Sequence, residues 1–504
     1  MNNNINKIAT SALLVALLSA CGSDDDNNPE SVTDNDKKLR EILSQQQLSG
    51  DASAGRQLPA IEEPLAQLGM KLFFSKALGG DQDSACVSCH HPMMGGGDNV
   101  SLPVGVDAEL PDLLGPGRFH SSAAEHFDGG PTVPRNAPTT FNIGLWDQVL
   151  FHDGRVESLG KSAGKNGDDG SGICTPDSAF GQADVNAGAN LTVAQARFPV
   201  TSAEEMKNFS AFAGLNNTEI RQHLQQRLGG YGTPAGGPLA SNQWLDEFRQ
   251  GFGEAGGSAE SLITFDNIAA AIGAYENSQV FVDSPWKAFV QGDEQAISAA
   301  AKRGALLFHA AVADGGAGCA ACHSGDFYTD EQFHVIAMPQ IGRGKGDGAD
   351  GSDDFGRYRE TAEADDRYAF RTPTLLNVAV TGPWGHAGGY TRLEDVIRHH
   401  ADPQQAIDSY DFTQLQPNIQ ASRMKMNTQK ALDQLAALRQ AGKSALPDIH
   451  LTDQQVTELV AFLQALTDPC VQDRQCMSRW IPDASDENPD GLRLNAYDHY
   501  GRYF

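Results

Sequence analysis

Two short stretches of the sequence, residues 86–90 and 319–323, share a pattern of residue types that can bind a metal-containing cofactor. In each stretch two cysteines are separated by two residues, and a histidine follows the second cysteine. A c-type haem is attached through this pattern: the two sulfurs bond to the porphyrin, and the histidine ligates the iron. The sequence therefore predicts two covalently bound c-type haems, held by Cys86, Cys89, His90, Cys319, Cys322 and His323.

A structural zinc site or a redox-active dithiol uses cysteines at the same spacing, and both remain alternatives. The repetition favours haem, because similar sequences precede the two motifs. These are Gly69–Phe73 before the first motif and Gly304–Phe308 before the second. The pattern is therefore typical of a di-haem cytochrome.

Length and charge limit the other functions. A chain of 504 residues is long enough for two or three domains with sizeable cores. Its formal charge of −28 makes nucleic-acid binding an unfavoured function. The same charge is compatible with simple solubility or with attraction for a basic partner such as a small cytochrome c.

The first sixty residues predict export and membrane attachment. Residues 1–20 have an early lysine and an apolar run, as in a secretory signal. Residues 18–21 resemble a bacterial lipobox, so Cys21 is the predicted lipidation site; an ordinary cleaved signal is the alternative. The polar residues 21–60 are expected to form a flexible tether. The predicted location is the periplasmic side of a Gram-negative bacterium, with Gly22 favouring the outer membrane.

Three cysteines remain after haem attachment and lipidation. Cys470 and Cys476 are close in sequence and could form a disulfide in an oxidising compartment. Cys174 has no evident partner.

The hydrophobic periodicity predicts a mostly α-helical fold with long loops. Apolar residues recur at helical spacing in residues 64–78, 265–281, 296–308 and 452–466, and no alternating strand pattern is evident. Thr452 and Gln455 have the spacing of a capping box. Loops are expected at 160–190 and 342–356. The three aspartates of the second loop lack the spacing of a calcium-binding EF-hand.

An internal repeat extends beyond the haem motifs. The sequence RNAPTTFN at 135–142 corresponds to RTPTLLN at 371–377, and HDGR at 152–155 corresponds to HAGG at 386–389. Repetition of this kind predicts two similar haem domains related by internal duplication. Their expected bounds are 61–290 and 291–468, followed by a C-terminal tail, 469–504, without a predicted function.

The chain resembles the bacterial di-haem cytochrome c peroxidases and the related MauG-type oxidases. The resemblance lies in the motifs above, in FPVTSAEEM at 198–206 and in the closing LTDQQVTELVAFLQAL. The resemblance covers about residues 61–468. It implies two cytochrome c-like domains with a calcium ion between the haems. It also implies that hydrogen peroxide reacts at the N-terminal haem, the one on His90.

The resemblance assigns catalytic roles by register. The family has a glutamate six residues after a proline and a glutamine four residues before it, which correspond to Glu205, Pro199 and Gln195. The glutamate moves a proton between the two peroxide oxygens. The alternative is that Glu205 is an exposed acid at a helix start, because Thr201 and Ser202 resemble a helix cap.

In the family, the second haem has a distal ligand fourteen residues after the histidine that corresponds to His386. Peroxidases of the family have methionine there and the MauG type has tyrosine, whereas this chain has His400, preceded by His399. Two histidine ligands would give a lower reduction potential than histidine with methionine. The alternative is that both are surface histidines near a helix end.

Other positions depart from the family pattern. The bridging tryptophan of the peroxidases corresponds to His152, whose imidazole is harder to oxidise. Trp146 and Trp384 could replace it only if they lie between the haems. A loop with His120 and His126 resembles the one that blocks the N-terminal haem in some resting peroxidases, and His126 is the candidate ligand; an open site is the alternative. The implied calcium ligands are Asn136, Thr381 and Pro383.

The leading function from the sequence is a di-haem peroxidase that reduces hydrogen peroxide with electrons from a small cytochrome c or cupredoxin. A MauG-like oxidase that modifies a partner protein is the first alternative, and a non-catalytic electron-transfer cytochrome is the second. Related proteins often form homodimers, although the sequence indicates no interface.

Overall fold

The computed structural model describes residues 29–504. Most regular structure in this part is helical, which confirms the predicted mostly α fold. None of the described helices is long and apolar enough to cross a membrane. The helices are α1 Pro29–Gln45, α2 Pro64–Phe74, α3 Leu191–Gln195, α4 Asn217–Gly229, α5 Trp244–Phe252, α6 Ala259–Leu262, α7 Phe265–Asn277, α8 Pro285–Val290, α9 Ala299–His309, α10 Tyr358–Thr361, α11 Leu393–Ala401, α12 Pro403–Asp408, α13 Met424–Gln440, α14 Asp453–Ala465 and α15 Arg474–Met477.

The described strands are short. They are β1 Val149–Leu150, β2 Val156–Ser158, β3 Ile173–Cys174, β4 Phe333–His334 and β5 Phe370–Arg371. The first three form one antiparallel sheet and the last two form another. Strands of two or three residues carry no alternating pattern that sequence analysis could detect.

The similar sequences before the two haem motifs have a packing reason. Helix α2 packs against α7, and α9 packs against α14 in the same way. A Cβ on Gly69 would lie 1.9 Å from the carbonyl oxygen of Ala271, and one on Gly304 would lie 1.9 Å from that of Glu458. Only glycine allows backbones to approach this closely. The two halves therefore repeat one helix crossing directly before each haem motif.

The C-terminal tail is part of the N-terminal half. Trp480 and Leu494 are buried in the same core as α2 and α7. The backbone N–H of Leu494 donates to the carbonyl of Phe74 (2.8 Å), and the hydroxyl of Tyr275 donates to the carbonyl of Trp480 (2.8 Å). Residues 469–504 thus form a strap that closes this core. The predicted disulfide, Cys470–Cys476, is present where the strap begins.

The expectation of a flexible tether over residues 21–60 does not hold for its described part. Helix α1 lies in this segment, and its Leu39 and Leu43 are buried in the core that contains α9 and α14. The segment was predicted to be a tether because its composition is mostly polar. Two leucines on one face of α1 are nevertheless enough to anchor the helix. Helix α1 therefore packs on the C-terminal half, and the strap 469–504 packs on the N-terminal half.

Two further predictions can be compared with the structure. The capping box of Thr452 and Gln455 is present at the start of α14. The aspartates of the 342–356 loop form ion pairs: Asp347 with Arg359, Asp350 with Arg423, and Asp353 with Lys430. These ion pairs balance the negative charges of the three aspartates without a bound metal ion. The signal peptide and Cys21 lie outside the described residues.

Two candidate haem cavities and the residues between them

Each Cys-x-x-Cys-His motif lines a cavity. The first cavity has about 1170 Å³ of empty space up to its mouth, and Cys86, Cys89 and His90 line it. The second has about 1970 Å³, and Cys319, Cys322 and His323 line it. Both are large enough for a porphyrin-sized cofactor that is bonded to the cysteines at the wall.

The proximal histidines are oriented for metal binding. The Nδ1 of His90 is 3.1 Å from the carbonyl of Gly96, and that of His323 is 3.1 Å from the carbonyl of Tyr328. Each Nδ1–H donates to this carbonyl, which leaves Nε2 with its lone pair for a metal ion. Burial lowers the pKa of His323 to about 4, so its imidazole is neutral, as ligation requires.

Unpartnered polar atoms in the cavity walls also fit a haem. The guanidinium of Arg371 lines both cavities, and its Nε and Nη1 are buried without a hydrogen-bond partner. Both ring nitrogens of His386, in the second cavity, are equally unpartnered. Buried donors of this kind need an acceptor. The propionate groups of a haem are the acceptors that such a cavity would supply.

Zinc is a weaker alternative at the second motif. Ligand atoms of Cys322, Asp330 and His334 lie within 4.8 Å of one another. However, His334 is already hydrogen bonded to Asp330 (2.7 Å), and a zinc ion would leave the apolar cavity beside it unused. Haem accounts for both features.

The structure distinguishes between the adjacent histidines of α11. Both ring nitrogens of His399 are engaged, Nδ1 with the hydroxyl of Tyr390 (2.9 Å) and Nε2 with the carbonyl of Ile336 (2.8 Å). In His400 only Nδ1 is engaged, with the carbonyl of Val396 (2.8 Å). His400 lines the second cavity with His323 and keeps Nε2 free. His400 is therefore the residue placed to ligate the second iron.

We expect His400→Met to raise the midpoint potential of the second haem by about 0.1–0.3 V, a part of the range that axial ligands span. The physical reason is that a thioether stabilises ferrous iron better than an imidazole does. Spectroelectrochemical titration measures the shift, and a sulfur-to-iron charge-transfer band would mark the new ligand. An unchanged potential and spectrum would mean that another residue ligates this iron.

The three residues assigned to peroxide chemistry meet in the first cavity. Gln195 ends α3, Pro199 begins a short 3₁₀ turn, and Glu205 lies on a single π-helical turn, Ala203–Lys207. The Oε1 atom of Gln195 is buried without a partner. Single π-helical turns are frequent at functional sites. Ser202 makes no side-chain cap, so Glu205 is not the exposed acid of a capped helix.

The protonation of Glu205 reflects opposing influences. Burial raises the pKa of its carboxyl group, since the charged form loses solvation. The cations of Arg155 and Lys345 act in the opposite direction and lower this pKa, while Glu204 and Asp153 raise it. A carboxyl group with a raised pKa in a cavity is suited to exchange protons at moderate pH.

The wall between the cavities contains His152 and Trp146. Both line the two cavities, whereas Trp384 lines the second cavity alone. The Nε2 of His152 is 3.0 Å from the carbonyl of Asn136, and burial lowers its pKa to about 3. The guanidinium of Arg371 lies 3.5 Å from the centre of the Trp146 ring. The fold therefore brings one of the two candidate tryptophans between the haem sites.

The loop histidines do not reach the first cavity. His126 is exposed and packs on Phe209, with 4.7 Å between the ring centres. His120 is buried, with its Nδ1 3.1 Å from the carbonyl of Gly130, and it does not line the cavity either. His126 thus lies outside the first cavity with its ring packed on Phe209. Its role as a resting-state ligand stays a prediction, as does the alternative of an open site.

The predicted calcium ligands share one cavity. Asn136, Thr381 and Pro383 all line the second cavity, and Asn136 also lines the first. The amide nitrogen of Asn136 donates to the carbonyls of Val100 (3.1 Å) and Ser101 (3.0 Å), which leaves its side-chain oxygen available. Side-chain and backbone oxygens suit a hard cation such as calcium. Calcium itself remains a prediction.

Two cationic residues of the first cavity were not identified from the sequence. Arg155 belongs to the HDGR motif, which indicated only weakly that this arginine lies at the site. Lys345 comes from the loop 342–356 of the other half of the chain. Nothing in the local sequence indicates that this lysine reaches the first haem site.

Comparison with known proteins agrees with the fold and the two cavities. Residues 63–295 match the family model of the di-haem cytochrome c peroxidases, described as CCP_MauG. The chain is 28% identical to cytochrome c551 peroxidase of Pseudomonas aeruginosa over 67% of this chain and 71% of that protein. It is 27% identical to the methylamine utilization protein MauG of Methylorubrum extorquens over 78% of this chain and 86% of that protein.

Solved structures show the same fold. A MauG-like protein associated with microbial copper homeostasis superposes with a TM-score of 0.52 at 21% identity, covering 84% of this chain and 96% of that chain. The diheme peroxidase BthA from Burkholderia thailandensis superposes with a TM-score of 0.50 at 20% identity, covering 88% and 92%. The resemblance found in the sequence is confirmed: the chain is similar to the di-haem cytochrome c peroxidase and MauG family, in its family-model match and in the names of its relatives.

Proposed function

We propose that this protein reduces hydrogen peroxide to water with electrons from a small periplasmic redox protein. The observation that carries the proposal is the meeting of Gln195 and Glu205 with His90 in one cavity. An electron carrier has no use for a proton-exchanging carboxyl group and an unpartnered amide oxygen beside its iron. When bound, the two haems supply the site of O–O cleavage and the route by which electrons arrive.

The protein residues supply the proton chemistry. Reduction of one hydrogen peroxide to two water molecules consumes two electrons and two protons. The Glu205 carboxylate would accept a proton from one peroxide oxygen and return it to the other oxygen, which leaves as water. Gln195 positions the peroxide through its amide group. The neighbouring cations Arg155 and Lys345 favour the carboxylate form needed for the first step.

The second half of the chain receives the electrons. We infer that internal duplication produced the two haem sites, a view supported by the repeated glycine crossings at Gly69 and Gly304. His323 and His400 would hold the relay haem between them. Trp146 and His152 lie in the wall that electrons cross, and the ring of Trp146 is the easier of the two to oxidise.

A MauG-like oxidase that modifies a partner protein is the second candidate. The observation that favours it is a ligand other than methionine at position 400. MauG proteins are among the relatives, at an identity as low as that to the peroxidases. The two functions share the site and differ in what supplies the electrons.

The deciding experiment combines optical and EPR spectra with turnover. For a peroxidase we expect a high-spin haem that reacts rapidly with peroxide, a low-spin bis-histidine haem, and multiple turnovers with a reduced small cytochrome c. Negligible turnover, with peroxide-dependent change in a co-encoded protein, would support the oxidase instead. Two low-spin haems that do not react with peroxide would make the protein an electron carrier.

The cellular setting belongs to the same proposal. We infer export, a lipid on Cys21 and attachment on the periplasmic side, because c-type haem is attached outside the cytoplasm in bacteria. The electron donor would be a small cytochrome c or cupredoxin drawn by the charge of −28. Calcium at Asn136, Thr381 and Pro383 and a homodimer complete the proposal.

A further inference from the structure

The loop 342–356 joins the two halves of the molecule at the peroxide site. It follows the second haem motif in sequence, yet its Lys345 lines the first cavity together with Arg155 and Glu205. The first haem site is thus completed by a residue from the C-terminal half.

The loop geometry fixes this position. The N–H of Lys345 donates to the carbonyl of Asp353 (2.9 Å), and Asp347 and Asp353 pair across the loop. A Cβ on Gly344 would lie 2.3 Å from the carbonyl oxygen of Ser352, so this tight approach requires glycine. The backbone of Lys345 is therefore held in place on both sides.

Arg343 attaches the loop to the N-terminal half. Its Nη2 donates to the carbonyl of Thr132 (2.6 Å) and to Oε1 of Glu204 (2.8 Å). Glu204 precedes Glu205 on the π-helical turn. The loop and the turn that carries Glu205 are thus tied by a direct hydrogen bond.

The ammonium group of Lys345 is poorly compensated by the protein. Its Nζ lies 4.0 Å from Oε2 of Glu204, which is too far for a hydrogen bond. The side chain is 25% exposed, and burial lowers the pKa of Lys345 while Glu204 raises it. A partly desolvated cation requires an anionic neighbour.

Four charged groups surround Glu205: Arg155 and Lys345 are positive, and Glu204 and Asp153 are negative. Arg155 is already engaged, since its Nη1 lies 3.2 Å from Asp153 and its guanidinium packs on Phe151 at 3.5 Å. Lys345 makes no comparable contact. Arg155 lowers the pKa of Glu205 more strongly than Lys345 does, but Lys345 is the cation of the two that has no close carboxylate partner of its own.

We propose that Lys345 is a positioning residue that the C-terminal half contributes to the first haem site, where its ammonium group stabilises the ionised carboxylate of Glu205. This inference deepens the proposed function and rests on it. Arg343 and Lys345 are neighbours on one loop. A movement between the halves would therefore also move the ammonium group of Lys345 relative to Glu205.

The test is the rate of cyanide binding to the N-terminal haem of the holoprotein as a function of pH. Hydrogen cyanide must lose a proton to bind, so the rate reports the ionisation of the distal base without any turnover. In Lys345→Gln we expect the apparent pKa of this profile to rise by about one pH unit, because an opposite charge has been removed. Lys345→Arg should restore the original profile, and Glu205→Gln should abolish the ionisation.

Lys430→Gln is the matched control, because Lys430 bonds to Asp353 of the same loop (2.8 Å) without lining the cavity. Its profile should equal that of the wild type. A shift in Lys345→Gln no larger than in Lys430→Gln would overturn the inference, as would a profile in Lys345→Arg as shifted as that in Lys345→Gln. Peroxide turnover of the wild type is measured in parallel. If turnover is absent but the cyanide-binding profile shifts as expected, the peroxidase function is refuted. The coupling between Lys345 and Glu205 is then still supported.

Discussion

Replacing Glu205 by glutamine is expected to lower kcat/KM for hydrogen peroxide by roughly 10²–10⁴-fold, the usual contribution of a positioned acid–base group. The amide keeps the size of the side chain but cannot accept the peroxide proton. Haem content, the optical spectrum of the resting protein and its thermal stability should stay close to those of the wild type. Stopped-flow mixing with peroxide at several pH values measures the effect.

The pH dependence has a defined direction. Burial raises the pKa of Glu205, and only the ionised form accepts a proton. The rate of the wild type should therefore fall as pH decreases through this pKa, and the variant should lack that limb. Glu204→Gln is the control, since Glu204 lies on the same turn but bonds to Arg343 (2.8 Å) and does not line the cavity. Equal losses in the two variants would argue against a specific role for Glu205.

The second large effect is expected at the contact between the halves. Arg135 is 6% exposed and lies between two buried carboxylates, Asp153 (2.5 Å) and Asp354 (2.6 Å). Arg135→Met would leave both carboxylates without their main partner, and removal of one member of a buried ion pair costs about 3–5 kcal/mol. We expect a clear fall in the apparent Tm, measured by circular dichroism on the holoprotein.

Acid should weaken the same contact in the wild type. Arg135 holds the pKa of Asp354 at about 2 and that of Asp153 well below its usual range. Carboxylates with lowered pKa values contribute stability above their unfolded value of about 3.9, and this stability is lost as pH falls towards 2. The variant should show less of this acid dependence. Arg392→Met is the control, because its ion pair with Asp395 is exposed and such pairs contribute about 0–1 kcal/mol.

Features carried by local sequence could be predicted. Each of these features depends on residue types within a few positions of one another. They are the haem motifs, the helices α2, α7, α9 and α14, the capping box of Thr452 and the Cys470–Cys476 disulfide. The family register also led to Gln195 and Glu205, which the fold brings into one cavity. Short-range spacing contains this information, because each of these features forms within one turn, one helix or one motif.

Other features depended on contacts between distant residues. The sequence suggested a flexible tether and a tail without function, whereas Leu39 and Trp480 are buried in opposite halves of the molecule. His126 fits a loop ligand by type, but its ring packs on Phe209 instead. Composition describes a segment by itself and cannot indicate which surface will cover it.

The sequence by itself predicted the chemistry of this protein: two covalent haem sites, a proton-exchanging carboxyl group and a histidine ligand for the second haem. The family register pointed to His400, and the tertiary structure added that His400 lines the second cavity with a free Nε2, whereas both ring nitrogens of His399 are engaged. The tertiary structure also placed Trp146 between the cavities and brought Lys345 from the other half of the chain to Glu205. The physical reason is that hydrogen bonds and charges act through space, whereas sequence spacing records only distance along the chain.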